Sequence, residues 1–182
     1  MKKIFLLMFA FCCIGAFPQQ PLEYSVIIQK EGADAQTLYD LTRNWFAQTY
    51  RDSKAVLQDQ NPGKELTGHG KITFSTNVIY SSIQGFIKYL IDVQFKDGRL
   101  RFEMKNFTHE PLKDALYNNN MGILVDSLPK NLKDIGIEGS NRKASYKYFY
   151  KHGKTLCEKQ FIQLSNSLKE FIEKREASND DW

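Results

Sequence analysis

"FKDGRLRFEMKNFTHE", residues 95–110, decides how the rest of the chain is read. Apolar and polar side chains alternate on both sides of Asp97-Gly98. Phe95, Leu100, Phe102 and Met104 make one set; Lys96, Arg99, Arg101, Glu103 and Lys105 make the other. A period of two is the signature of a strand with one buried face. Asp-Gly between two such runs favours a tight hairpin. One face of this hairpin therefore belongs to a core, and the use of the other face is the open question.

Before the hairpin, "FIKYLIDVQF" continues the alternation, with Ile87, Tyr89, Ile91, Val93 and Phe95 inward. "STNVIYSSIQG" reads as a loop. "ELTGHGKITF" is another strand, with Leu66, Gly68, Gly70, Ile72 and Phe74 on one face. Two glycines on an inner face suit a close approach by a helix, with Trp45 the expected contact. "DQNPGK" is a turn after a short strand near Ala55–Gln58. Further back, "LEYSVIIQK" is a strand with Tyr24, Val26 and Ile28 on one side. After "EGAD", Asp34 is placed to cap a helix over roughly Ala35–Tyr50, whose stripe carries Leu38, Leu41, Trp45 and Phe46.

The last clear strand runs from Arg99 to about Phe107; from Glu110 to Gly139 the pattern fails, with a helical turn or two expected near Leu112–Tyr117. "ASYKYFYKHGK" is ambiguous: its aromatics favour a strand, its place before a helix does not. "TLCEKQFIQLSNSLKEFIEK" is the strongest helix, with Leu156, Cys157, Phe161, Leu164, Leu168, Phe171 and Ile172 on its stripe. The order β-α-β-β-β-β-α predicts an α+β two-layer sandwich. An antiparallel sheet of about five strands is covered on one face by two helices.

The opening "MKKIFLLMFAFCCIGAFPQQ" has a positive start, an apolar run too short to span a bilayer, and Ala16 for a peptidase to cut after. Residues 1–16 read as a signal peptide, so the protein is expected to be exported to the periplasm or cell envelope. Cys12 and Cys13 lie at lipidation depth, but Phe11 and Cys12 stand where a small residue is required. Cleavage removes two of the 25 basic residues and none of the 21 acidic ones, taking the charge from +4 to +2. That balance gives no general draw to nucleic acid. Cys157 would remain alone, so the exported chain forms no internal disulfide. Residues 21–176 then make one domain, followed by a flexible tail at 177–182.

The run "YSVIIQKEGADAQTLYDLTRNWFAQTYRDSKAVLQ" and the later "IDVQFKDGRLRFEMKNFTH" resemble a family of secreted bacterial domains of unknown function with a TATA-binding-protein-like (TBP-like) fold. The resemblance covers about Tyr24–His109 and the closing helix. It implies that fold, and it implies no catalytic residues.

No reaction is legible in the residues. His69, His109 and His152 have no partner at ligand spacing and are expected on surfaces or in loops, so no metal is assigned. Gly153-Lys154-Thr155 lacks the earlier glycine of a phosphate loop, since that place is Tyr148. Cys157 falls on an apolar stripe, where a thiol is structural. Asp180-Asp181 sit in a tail that cannot hold catalytic geometry. Tyr146, Tyr148, Phe149 and Tyr150 could stack on a ligand but suit packing better. The expectation is a non-enzymatic, cofactor-free module. It would bind an envelope protein, peptide or glycan through the open sheet face or the loops. Lys71, Lys88, Arg99, Arg101 and Lys105 mark the candidate face. The alternatives are a carrier of a small apolar ligand between the last helix and the sheet, and an uncharacterised hydrolase.

Overall fold

The computed structural model of the chain describes residues 20–50, 56–112 and 119–177. The signal peptide expected at residues 1–16, most of the helical turn expected at Leu112–Tyr117 and the tail beyond Ala177 lie outside the described residues. Strands β1 (Tyr24–Gln29), β2 (Leu57–Asn61), β3 (Glu65–Phe74), β4 (Gly85–Lys96) and β5 (Arg99–Pro111) form one antiparallel sheet in the order β1-β5-β4-β3-β2. Helices α1 (Ala35–Thr49) and α2 (Ser140–Ala177) cover one face and touch each other. This is the two-layer α+β sandwich expected, with the other sheet face open.

The β4–β5 hairpin organises the first half of the fold. Lys96 pairs with Arg99, and Gly98 takes the left-handed conformation at φ 75°. The hairpin tip then clamps the turn between β1 and α1. Lys30 N–H donates to Gly98 O at 2.8 Å and Gly98 N–H donates to Ala33 O at 2.8 Å. Asp97 Oδ1 accepts from Ala35 N at 2.9 Å, while Asp34 Oδ1 accepts from Thr37 N at 2.6 Å. Two carboxylates thus serve the orphan donors at the α1 N-terminus, one local and one 62 residues away. The Thr37 amide holds the Asp34 carboxyl below its ordinary range.

The covered face is a continuous apolar layer. Leu38, Trp45 and Phe46 of α1 meet Ile91, Val93, Phe95, Leu100, Phe102 and Met104 of the hairpin. Trp45 does not cover the β3 glycines. A Cβ on Gly68 would lie 2.9 Å from Phe46 Cε1, and one on Gly70 would overlap the Tyr89 ring from β4. Trp45 points along the helix interface instead: its ring is 6.2 Å from Phe102 and its Nε1–H donates to Ser167 of α2 at 3.1 Å. One helical residue of phase separates Phe46 from Trp45, and it decides which ring meets the sheet edge.

β5 runs to Pro111, further than the alternation implied, because it contains a bulge. Lys88 pairs with Thr108 but Leu90 pairs with Lys105, so Tyr89 faces two residues, Asn106 and Phe107. Asn106 takes φ 59° to make the bulge. Asparagine tolerates that left-handed conformation better than most residues. The side-chain parity flips there. Met104 is inward by even numbering, whereas Phe107 and His109 are inward by odd numbering.

"STNVIYSSIQG" is not simply a loop: Val78–Ile83 is a 3-10 helix capped by Asn77, which accepts from Tyr80 N at 3.3 Å. The ambiguous "ASYKYFYKHGK" is helical and belongs to α2, which is therefore 38 residues long. Tyr146, Phe149, Gly153 and Cys157 recur at three to four residues and are all buried. A strand would have grouped Tyr146, Tyr148 and Tyr150 on one face instead. Within the patternless segment, Gly122 and Leu124 lie beside the end of β5: His109 N–H donates to Gly122 O and Leu124 N–H to Phe107 O. Leu22 N–H donates in turn to Leu124 O at 2.9 Å, so this segment wedges between residues 20–22 and β5. β2 starts two residues later than expected, and the turn after it is Asn61–Lys64, closed by Lys64 N–H on Asn61 O.

Candidate interaction surface on the open sheet face

Pairing registers set the open face out in rows. Across β1, β5 and β4 the first row is Gln29–Arg99–Lys96, and the second is Ile27–Arg101–Gln94, with Glu65 of β3 beyond. The third is Ser25–Glu103–Asp92–Thr67. The fourth, starting at β5, is Lys105–Leu90–His69. Past the bulge comes Thr108–Lys88–Lys71. All five expected cations thus stand on this face, joined by Lys96.

They are not equivalent. Asp92 and Glu103 are directly opposed carboxylates, each only 6% exposed although the face has no covering layer. Like charges in that position repel, and Lys105 lies between them. Its Nζ is 2.5 Å from Asp92 Oδ2 and 3.5 Å from Glu103 Oε2. Burial alone would depress the Lys105 pKa. The hydrogen bond and charge of Asp92, then those of Glu103, outweigh it and raise the pKa above its ordinary value. Arg101 also touches Glu103 at 3.2 Å and donates to Gln94 at 3.0 Å. Lys88 is held by Glu110 at 2.6 Å, and the Lys71 ammonium sits 4.5 Å above the Phe86 ring. Arg99 and Lys96 have no carboxylate within ion-pair distance among the described residues. Of the three cations on this face without a carboxylate among the described residues, Arg99 and Lys96 stand together at the hairpin end, and Lys71 lies apart over Phe86 at the other end. Lys105 and Lys88 are largely neutralised by their partners. Sequence reading missed Asp92, Glu110 and Lys96, because only the registers show which charges face one another.

The other chemistry-bearing residues fall into structural roles. His109 is buried at 1% exposure, against the expectation of a surface or loop site, because the Asn106 bulge turns it inward. Its Nδ1 accepts from Met121 N at 3.1 Å, which leaves Nε2–H to donate to Ile83 O at 3.0 Å. The ring is thus neutral and fully used, and burial lowers its pKa. His69 lies on the open face of β3, and the exposed His152 ring lies tilted against Tyr148, which stacks on Tyr80, both tyrosines half-buried. Cys157 is buried under α2 and its thiol is pushed up to about 12 by desolvation. Gly153-Lys154-Thr155 lies inside α2, where backbone amides are committed to the helix. Tyr146 and Phe149 are core, and Tyr150 Oη donates to Asp126 O at 3.0 Å. Among the described residues, no group of three or more His, Cys, Asp or Glu could hold a metal ion. No described helix is long and apolar enough to cross a membrane.

Two solved structures resemble this one. A DUF4468 family protein from Bacteroides ovatus has 14% identity over 81% of this chain and 86% of its own, with a TM-score of 0.50. A TBP-like protein from Parabacteroides distasonis has 16% identity over 82% of this chain and 93% of its own, with a TM-score of 0.48. At such identity the first likeness concerns the fold alone. Residues 24–110 match the model of a family described as a domain of unknown function (DUF4468) with TBP-like fold. No curated protein matches the chain.

Proposed function

We propose, from the premise that residues 24–110 form a domain of the DUF4468 family, that the protein is an exported, non-enzymatic module of the cell envelope. It binds an acidic or glycan-bearing partner through the hairpin end of its open sheet face. Fold does not specify function, so the reading rests on this chain's own surface. Export is argued from the leader-like residues 1–16. The observation that carries the binding reading is the uneven use of charge: Lys88 and Lys105 are neutralised by neighbours, whereas Lys96 and Arg99 stand opposite each other without a carboxylate. Cations left unpaired beside one another repel slightly, and an acidic partner removes that cost while adding charge-assisted contacts.

Binding is preferred to carriage of a small apolar ligand because side chains fill the layer beneath α2. Tyr146, Phe149, Cys157, Leu164, Leu168 and Ile172 are all buried there.

Capture of partners from the envelope fraction on immobilised protein tests the reading, with Lys96→Glu/Arg99→Glu as the comparison. Arg101 and Lys105 are left intact because Glu103 and Asp92 depend on them. The reversal should leave folding stability within about 0.5 kcal/mol, as exposed substitutions do. It should abolish capture, and capture by the unmodified protein should weaken with added salt. Capture that survives the reversal would make this face scaffold and move the search to the loops. Val78 and Ile79 project there from the 3-10 helix, 89% and 82% exposed.

A further inference from the structure

The two edges of the sheet are built differently. At one edge, β2 is five residues long, has a register shift between Leu57 and Gln60, and is followed by Pro62. Short length, irregular register and proline are devices that stop edges from recruiting strands. The other edge is β1. Its pairing with β5 is uninterrupted from Tyr24↔Met104 to Gln29↔Arg99, and its centre is Ser25-Val26-Ile27-Ile28. It carries no proline, bulge or charge, and Ile27 is 56% exposed.

The direction of its backbone groups follows from one bond. Lys30 N–H donates to Gly98 O, so even-numbered residues of β1 turn their amide and carbonyl toward β5. Ser25, Ile27 and Gln29 therefore turn theirs outward, where no described residue meets them. Beside this array lies a groove of about 510 Å³, walled by Val26–Gln29 on one side and by Ser165, Asn166, Lys169 and Glu173 of α2 on the other. On the open-face side of the same strand a second groove, about 300 Å³, is lined by Ile27, Gln94, Lys96, Arg99 and Arg101.

We propose that β1 is a strand-addition site: an extended segment of a partner protein, acidic at alternate positions, pairs with Ser25, Ile27 and Gln29 and lies between β1 and α2. Backbone pairing supplies affinity in such sites, and alternate side chains supply selectivity. An added strand puts every second side chain on the open face beside Ser25, Ile27 and Gln29, with Arg99 and Arg101 of β5 one strand further in and within reach of long carboxylate side chains across β1, which selects glutamate there. The intervening side chains enter the groove against α2. A second copy of this chain fits less well, because edge-to-edge pairing would set two such cationic flanks on one face. The site shares the hairpin-end cations with the proposed face and adds the β1 edge to it; Ile27→Pro touches the edge alone, so loss of the edge and loss of the face are told apart, and the edge stands whether or not the protein is exported.

The probe is a capped, fluorescent heptapeptide alternating glutamate and valine, about as long as β1, read by fluorescence anisotropy. Saturable binding to the full chain is expected. Ile27→Pro removes one outward amide and blocks the edge, while leaving every bond to β5 and every surface cation in place. It should weaken the peptide by at least about tenfold, and Lys96→Glu/Arg99→Glu should weaken it as well. If Ile27→Pro fails to fold, peptides N-methylated at odd or at even positions replace it, and only one set should lose binding to the unmodified chain. Absence of saturable binding overturns the proposal. So does binding indifferent to Ile27→Pro or to N-methylation, or to the charge reversal. A dimer in sedimentation that Ile27→Pro converts to monomer also overturns it, by giving the edge to a second copy.

Discussion

The two faces of one sheet are stabilised by different physics. On the covered face, Phe102, Trp45 and Phe46 form a chain of edge-on rings, with Trp45 4.9 Å from Phe46 and 6.2 Å from Phe102. Their stabilisation comes mainly from buried area and fit, with the edge-on ring geometry adding a smaller directional part. On the open face, on the same strands one residue away, two opposed carboxylates are held by one ammonium. That arrangement depends on distance and on which partner carries charge. The covered face therefore responds to lost volume and the open face to lost charge. The unpaired cations at the hairpin end belong to neither scheme, and for that reason they are assigned a partner.

Truncation at Trp45 should show the largest effect. Trp45→Ala removes a side chain that is 1% exposed, the Ser167 hydrogen bond and the contact between α1 and α2. A loss of about 3–5 kcal/mol is expected in denaturant unfolding, as for other large aromatic deletions in cores. A loss below about 1 kcal/mol would mean that the layer closes around the gap, and that volume is not what the covered face depends on.

The sheet was legible in the sequence where alternation was clean. Leu66 to Phe74 and Phe86 to Met104 have the inward residues that period two assigns. It failed where a single residue shifts the phase. Asn106 turns Phe107 and His109 inward, and the three-residue gap between Met104 and Phe107 beside an asparagine was the available signal. In α2 the signal was the spacing of Tyr146, Phe149, Gly153 and Cys157, masked by tyrosines that look strand-like in composition. The candidate face was legible as a set of cations but not as a circuit. Lys105 lies 13 residues from Asp92 and Lys88 lies 22 from Glu110. No local pattern reveals those pairings, since each follows from register and from the bulge. The exposed edge of β1 was equally hidden, because alternation within a strand does not say which strands become its neighbours.

Removing charge should matter less than removing a ring. Lys105→Met keeps the aliphatic stem and deletes the ammonium, leaving Asp92 and Glu103 opposed and about nine-tenths buried. Breaking a fully buried pair costs several kcal/mol, but Lys105 is only partly buried, with its side chain 29% exposed, and solvent screens the pair in part. A loss of about 1–2 kcal/mol is expected. Adding Asp92→Asn to that variant should recover part of the loss, since the carboxylate left without a cation goes while Glu103 keeps Arg101. If the double variant is less stable by the sum of two independent losses, the three side chains do not act as a unit.

The smallest effect concerns a buried ring of the covered face that is hydrogen-bonded through both of its nitrogens. His109 accepts from Met121 N–H and donates to Ile83 O, so a second proton would have to enter at Nδ1, against an amide hydrogen. Burial likewise favours the neutral ring and lowers its pKa below the ordinary 6.5. In the unfolded chain the ring takes up its proton near pH 6.5, while the folded chain does not do so until lower pH. Between those two values the unfolded state binds more protons, so stability falls as the pH falls, by at most about 1.4 kcal/mol per pH unit. Above the unfolded value the contribution is fully present. His109→Gln can accept and donate at the same two positions without titrating. Melting compared at about pH 7.5 and about pH 5.5 should show a smaller acid-dependent loss in this variant. His69 and His152 are exposed and remain in both proteins, so they cancel in the comparison. An equal acid-dependent loss in the two proteins would mean that His109 reaches solvent in the folded state. The clean division between a face held by packing and a face held by charge would then fail at the β5 bulge.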